Sequence, residues 1–390
     1  MKKEIFLLSL LVAACIPIHA QSPYIHKVFD YRPAPGQFVN KLPEYKAGDT
    51  HEDMIRKVEE AILGDERGFV TLGAYGGYII FGFDHLVENR PGKYDFKIWG
   101  NAYYSNPILF TGSSEPGIVM VSYDANSNGI PDDPWYELAG SEYYKPETIK
   151  NYEITYYKPN PDKIPTPDPN FTFLADTSYV KWTDNQGNTG FVARNLFHSQ
   201  PYYPQWLNEE TLVYEGAKLA NNGIDESGTG QNFVQYAYPW GYADNHPNDN
   251  IRSNFDIDWA VDEQGIKVNL PGIHFVKVYT GVNQYCGWMG ETSTEIMGAE
   301  AFHIQGIDID VLAVRTDLFP DARIYYSQGK LYLENLEGCH CTLFNLNGQM
   351  MDSFQVNSSK CTYTTSLISG IYVLKIQKQD AIKIFKFITY

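Results

Sequence analysis

The chain has 390 residues, enough for one large β-domain and a second small one; 15% of them are aromatic, and Tyr alone occurs 30 times. With 32 Gly and 22 Pro, this composition excludes a helical bundle and points to many short strands joined by turns. A formal charge of −17 repels phosphates and anionic headgroups, which excludes nucleic acid and membrane surfaces as partners and suits a protein that holds cations.

Residues 1–20 read as an export signal. Lys2 and Lys3 form the basic region, Phe6 to Ala14 the apolar core, and Ile18-His19-Ala20 the cleavage site. Val12-Ala13-Ala14-Cys15 also fits a lipoprotein box, with Cys15 as the lipidated residue. The apolar run is too short to span a bilayer, and no other transmembrane segment is expected. Residues 24–48 are rich in Pro and aromatics and read as an extended lead-in. One clear helix follows. Thr50 and Asp53 resemble a capping box, Met54, Ile55, Val58, Ala61 and Ile62 share a face, and Gly64 ends the run. Its expected role is to cover the β-sandwich.

From Gly68 to Gly100 strands succeed one another closely. Gly73, Gly76 and Gly77 lack the Lys-Ser/Thr of a phosphate loop, so they mark a bulge or tight turn. Gly117–Ser122 is a short apolar strand. It runs into a loop reading D-x-N-x-N-G-x-x-D-D: Asp124, Asn126, Asn128, Gly129, Asp132, Asp133. Oxygen side chains at alternate positions, with Ile130 adding a carbonyl, are what a loop needs to wrap calcium. Trp135 stands where an EF-hand has its closing Glu, so Asp132 or Asp133 must close the shell. A plain Asn/Asp/Gly turn is the alternative. Asn101 and Glu115, just upstream, are either further oxygen ligands or buried hydrogen-bonded residues.

Beyond the loop, strands are expected at 152–157 and 179–183, separated by a loop with five prolines over 159–170. Residues 195–250 read as a long aromatic and polar loop. Trp206, Trp240 and Tyr242 are its candidates for stacking on a sugar or another flat ligand, unless they form the loop's own core. Asn254–Asp262 reads as a strand with Asp256, Asp258 and Asp262 on one face, a second cation candidate. Strong strands follow at 272–279 and 302–309. Of the later cysteines, Cys339 and Cys341 sit at strand alternation; either pairs with Cys361 in a disulfide, or all remain buried thiols. No zinc spacing occurs.

Two resemblances follow from these residues. Residues 324–390 carry Lys330-Leu331-Tyr332-Leu333-Glu334-Asn335, Leu343-Phe344-Asn345-Leu346-Asn347-Gly348-Gln349, Ser369-Gly370-Ile371-Tyr372-Val373-Leu374-Lys375, and then Lys383 to Phe387. This stretch resembles the type IX secretion (Por) sorting domain of Bacteroidetes. The resemblance implies a small seven-stranded sandwich, engagement of the type IX machinery after a Sec step, cleavage after Ala20, and delivery to the cell surface or medium. Residues 24–310 contain Tyr31-Arg32-Pro33-Ala34-Pro35-Gly36-Gln37, Tyr94-Asp95-Phe96-Lys97-Ile98, Ser114-Glu115-Pro116-Gly117-Ile118-Val119, Trp135-Tyr136-Glu137-Leu138-Ala139-Gly140 and Phe255-Asp256-Ile257-Asp258-Trp259-Ala260-Val261. They resemble a group of Bacteroidetes cell surface proteins of unassigned activity, some associated with nutrient capture, including corrinoids.

The expected organisation is therefore a signal over 1–20, a jelly-roll-like β-sandwich over 21–315 with a calcium-type loop, and a sorting sandwich over 316–390. The expected function is non-catalytic, calcium-stabilised capture of a glycan or a corrinoid-like nutrient. The alternative is an extracellular glycan hydrolase, for which Glu115, Glu137, Asp256 and Asp258 are candidates. G-x-S-x-G and H-E-x-x-H motifs are absent from the sequence. Two carboxylates facing each other in a pocket favour the hydrolase; an open aromatic shelf favours the binder.

Overall fold

The computed structural model describes residues 21–304, 307, 308 and most of 322–389. The expected export signal, Cys15, Ile309 and the motif residues Leu346, Asn347, Gly348 and Ser369 lie outside the described residues. Among the described residues the architecture is mostly β, built of antiparallel sheets with one α-helix.

The central sheet has six strands in the order Lys27–Arg32, Tyr78–Glu88, Gly272–Thr280, Gly117–Ser122, Trp135–Leu138 and Ala260–Val261. One face of its inner strands is continuously apolar. Ile79, Phe81, Val119, Val121, Val276 and Val278 are all buried in one cluster. A second sheet has four strands, Thr189–Asn195, Leu174–Asp184, Ile149–Tyr157 and Thr211–Lys218. It contributes Tyr152, Ile154, Tyr156, Val180, Leu212 and Tyr214 to that same cluster. The chain's abundant tyrosine is used here. Rings fill the space between layers and their hydroxyls find backbone partners. Tyr156 donates to the Tyr75 carbonyl at 3.1 Å, Tyr214 to that of Pro33 at 2.8 Å, and the Ala217 N–H donates to the Tyr279 hydroxyl at 2.9 Å.

The helix spans His51–Ile62 and opens with the expected capping box. The Asp53 N–H donates to Thr50 Oγ1 at 3.2 Å, and the Thr50 N–H donates to Asp53 Oδ2 at 3.0 Å. Met54, Val58 and Ile62 are buried, while Ile55 and Ala61 flank them half-buried. Gly64 follows the helix at φ +63°, a conformation glycine adopts without strain. The helix lies along the edge strand Lys27–Arg32, and the Val28 N–H donates to Glu59 Oε1 at 3.0 Å. The Gly73–Gly77 segment is a tight turn, with φ +70° at Gly73 and +85° at Gly76.

Three expectations are corrected. Residues 195–250 are not one loop: Thr211–Lys218, Gly223–Asp225 and Phe233–Tyr236 are strands, the first alternating apolar-in and polar-out as a half-buried strand does. Asn254–Asp262 is not one strand. The Asp256 side chain accepts the Asp258 N–H at 2.8 Å and caps a 3-10 turn over Ile257–Trp259, which breaks the alternation. The described part of 302–309 is a hairpin of two-residue strands, His303–Ile304 and Ile307–Asp308.

The C-terminal region forms two sheets of three and four strands, a small β-sandwich with its own buried cluster that includes Leu331, Leu333, Leu343, Leu374 and Phe387. Cys339 and Cys341 are buried in that cluster and Cys361 packs against it; all three are free thiols, as is Cys286.

Candidate functional site

A cleft of about 600 Å³ opens between the central and second sheets. The central sheet supplies Met120, Trp135, Glu137, Lys277 and Tyr279; the second supplies Lys150, Tyr152, Glu153 and Glu215; Tyr143, Asp262 and Glu263 close it from loops. Register explains the grouping. Glu137 is paired with Met120 on one side and Val261 on the other, and Trp135 with Ser122. Glu153 and Glu215 are direct cross-strand partners, which sets two carboxylates side by side on one sheet face.

The electrostatics are unusual for a surface cleft. Burial pushes the Glu137 carboxyl up to about 7, against the pull of the Lys150 ammonium. Burial pushes Lys150 down to about 8, opposed by Glu137. The Lys150 ammonium lies over the Tyr143 ring, and that of Lys277 lies 4.4 Å from the Tyr78 ring centre. Burial also lowers Lys277, against the charge of Asp30. An acid raised and an amine lowered by desolvation thus share one cleft, groups suited to binding a polar ligand.

The Asp/Asn loop is the hairpin connection between Gly117–Ser122 and Trp135–Leu138, so it adjoins the cleft through Trp135. Asp124 folds it by accepting the N–H groups of Asn128 at 3.1 Å and Gly129 at 2.9 Å. Asn126 and Asn128 accept the N–H groups of Asn128 and Ile130, and both donate their amides to Asp132. Asp133 accepts the Ala125 N–H at 3.1 Å, and the Ile130 carbonyl accepts that of Asp132 at 2.8 Å. Asp132 Oδ1 accepts both amides, so the loop is closed by its own side chains as an Asx-type turn is.

Among the described residues, one group of three carboxylates converges elsewhere: Glu115, Asp244 and Glu295 place oxygens within 4.8 Å of one another. Burial and mutual repulsion push Glu115 and Asp244 far above the usual range, and Glu295 goes up to about 7 with burial as the main cause. Their hydrogen bonds are structural. Asp244 accepts the N–H groups of Asn101, Ala102 and Glu295, while Glu295 accepts Thr71, Ser293 and the Asn101 amide. Asn101 and Glu115 are therefore half-buried, hydrogen-bonded members of this group, not neighbours of the Asp/Asn loop. Only Glu115 of this trio stood out in the sequence; its partners come from distant segments with no shared motif.

The other sequence candidates separate. Trp206 and Tyr242 are packed into the core at 6% and 1% exposure, which corrects their expected role in stacking on a ligand. Trp206 stacks on Tyr31, and the Tyr242 hydroxyl accepts the Glu142 N–H. Trp240 is half-buried against Trp259. Asp256, Asp258 and Asp262 do not share a face. Burial pushes Asp256 up to about 8, Asp258 lies 3.8 Å from Lys267, and Asp262 caps a turn by accepting the N–H groups of Gln264 and Ile266. The sequence does not reveal that Glu137, Trp135 and Lys150 line one cleft. The i, i+2 spacing of Trp135 and Glu137 on one short strand was the available signal.

Fold and cleft together define an antiparallel β-sandwich with a ligand-sized groove between its layers. No protein-family model matches the chain, and no curated protein matches it. Among solved structures, a β-1,2-glucanase from Parabacteroides distasonis aligns with 76% of this chain and 39% of its own at 10% identity, with a TM-score of 0.15. The chain thus spans about two-fifths of that enzyme's length, and a score this low carries no argument.

Proposed function

We propose that the chain is an exported, surface-attached or secreted β-sandwich that captures a polar nutrient ligand, a glycan in first place and a corrinoid-like molecule in second, in the cleft between its two large sheets. The observation that carries this reading is the lining. The half-buried Trp135 ring stands in one groove with Glu137, Glu153, Glu215 and two lysines, which gives a flat apolar face among hydrogen-bonding groups. Calcium in the Asp124–Asp133 loop would pin the hairpin that presents Trp135. The seven-stranded C-terminal sandwich supports the reading of residues 316–390 as a type IX sorting domain. The test is calorimetric titration of the full chain with an oligosaccharide panel and with a corrinoid. One ligand should bind, and Trp135→Ala should weaken it about tenfold or more without lowering the melting temperature. Failure of every ligand, or an unaffected variant, overturns the reading.

Hydrolysis of a glycan is the second reading. It is favoured by Glu137, held in a protonatable range in the same cleft as Glu153 and Glu215. New reducing ends from a bound oligosaccharide, abolished in Glu137→Gln while binding persists, would establish it in place of simple capture.

A further inference from the structure

A second cleft, of about 560 Å³, lies between the proline-rich loop 159–170 and the segment 201–205, over the hairpin of Leu174–Asp184 and Thr189–Asn195. Its charged lining is Lys158, Lys163, Asp176 and Arg194, so cations outnumber anions in a chain that is strongly acidic overall. Lys163 and Asp176 neutralise each other: the ammonium donates to both carboxylate oxygens at 2.8 and 2.9 Å and to the Ser178 carbonyl at 2.9 Å. Lys158 has only the exposed Glu210 at 3.7 Å, a contact worth little in water. Arg194 has no ion pair among the described residues. Its guanidinium carbon lies over the Tyr179 ring, 4.7 Å from the ring centre. A contact with a ring face holds the guanidinium in place at the cleft lining, and a planar fork matches a carboxylate with two parallel hydrogen bonds. Prolines from both flanking segments form rigid apolar walls.

We infer that this cleft is a second ligand site, which takes the carboxylate of an acidic saccharide on Arg194 and Lys158 while the sugar ring packs on the proline walls. Its volume suits two or three sugar rings, not an extended chain. The inference is independent of the inter-sheet cleft, because the two share no lining residue.

Calorimetry of the full chain with digalacturonate and with neutral galactobiose tests it. The acid should bind at least tenfold more tightly than the neutral sugar, and its affinity should fall as salt rises. Arg194→Ala should abolish that preference. Arg194→Lys, which keeps the charge without the fork, should lose most of it. Trp135→Ala should leave it intact. Equal binding of the two sugars, no binding of either, or an unchanged Arg194→Lys overturns the assignment; if Arg194→Ala melts early, Arg194→Lys decides. Displacement of digalacturonate by a short poly-glutamate peptide at lower concentration would overturn the saccharide in favour of an acidic peptide.

Discussion

Glu291 shows what burial does to a single side chain in this fold. One carboxylate oxygen accepts the Gln37 N–H at 2.6 Å, and the other is buried with no partner. Burial pushes the group up to about 8. An acid raised on folding gives stability that is fully present below its unfolded value near 4.5 and is lost as the pH climbs through about 8. Asp256, also pushed up to about 8, acts in the same direction. The melting temperature should therefore fall between pH 5 and pH 8.5. Glu291→Gln should make that fall shallower by a few kcal/mol at most, of the order that a shift of this size allows. A slope equal to the wild type's would show that Glu291 is ionised in the folded protein. None of this was legible from the chain, where Glu291 was one acidic residue among 47 acidic positions. Burial is a property of the folded neighbourhood, and Gln37 lies far away in sequence.

At the scale of elements, local signals were legible wherever a few adjacent residues settle the outcome. Thr50 with Asp53 set the start of the helix, and an apolar face at helical spacing set its packing. Thr50→Ala should cost about 1 kcal/mol, the usual worth of such a cap, measured by denaturant unfolding. A loss near zero would mean that packing of Met54 and Val58 alone holds the first turn. The Asp/Asn hairpin was also legible, because its turn is made by its own side chains. Calcium should raise the melting temperature of the wild type, a chelator should reverse the rise, and Asp124→Ala should abolish it. A rise that survives in the variant would place the ion elsewhere. Asn254–Asp262 was misread because alternation cannot reveal that Asp256 caps a 3-10 turn. Trp206 and Tyr242 were misread because a large aromatic fills a core as readily as it meets a ligand.

For the molecule as a whole, the β class followed from composition and turn density, but the cleft did not. It exists because Trp135–Leu138 and Ile149–Tyr157, neighbours in sequence, belong to different layers. The two buried clusters share no residue, so the chain should melt in two calorimetric steps. Val119→Ala should lower one step and Leu333→Ala the other, and a single joint transition shifted by both variants would contradict this.

The helix along Lys27–Arg32 bears on how many copies can be crowded together. A sheet grows by adding a strand to a bare edge. Here the outward N–H of Val28 is occupied by Glu59 and that of Tyr31 by Asp30, while the opposite edge, Ala260–Val261, is only two residues long. Neighbouring copies at high concentration would find no template for strand exchange on this sheet, so the protein can be crowded without polymerising through its core.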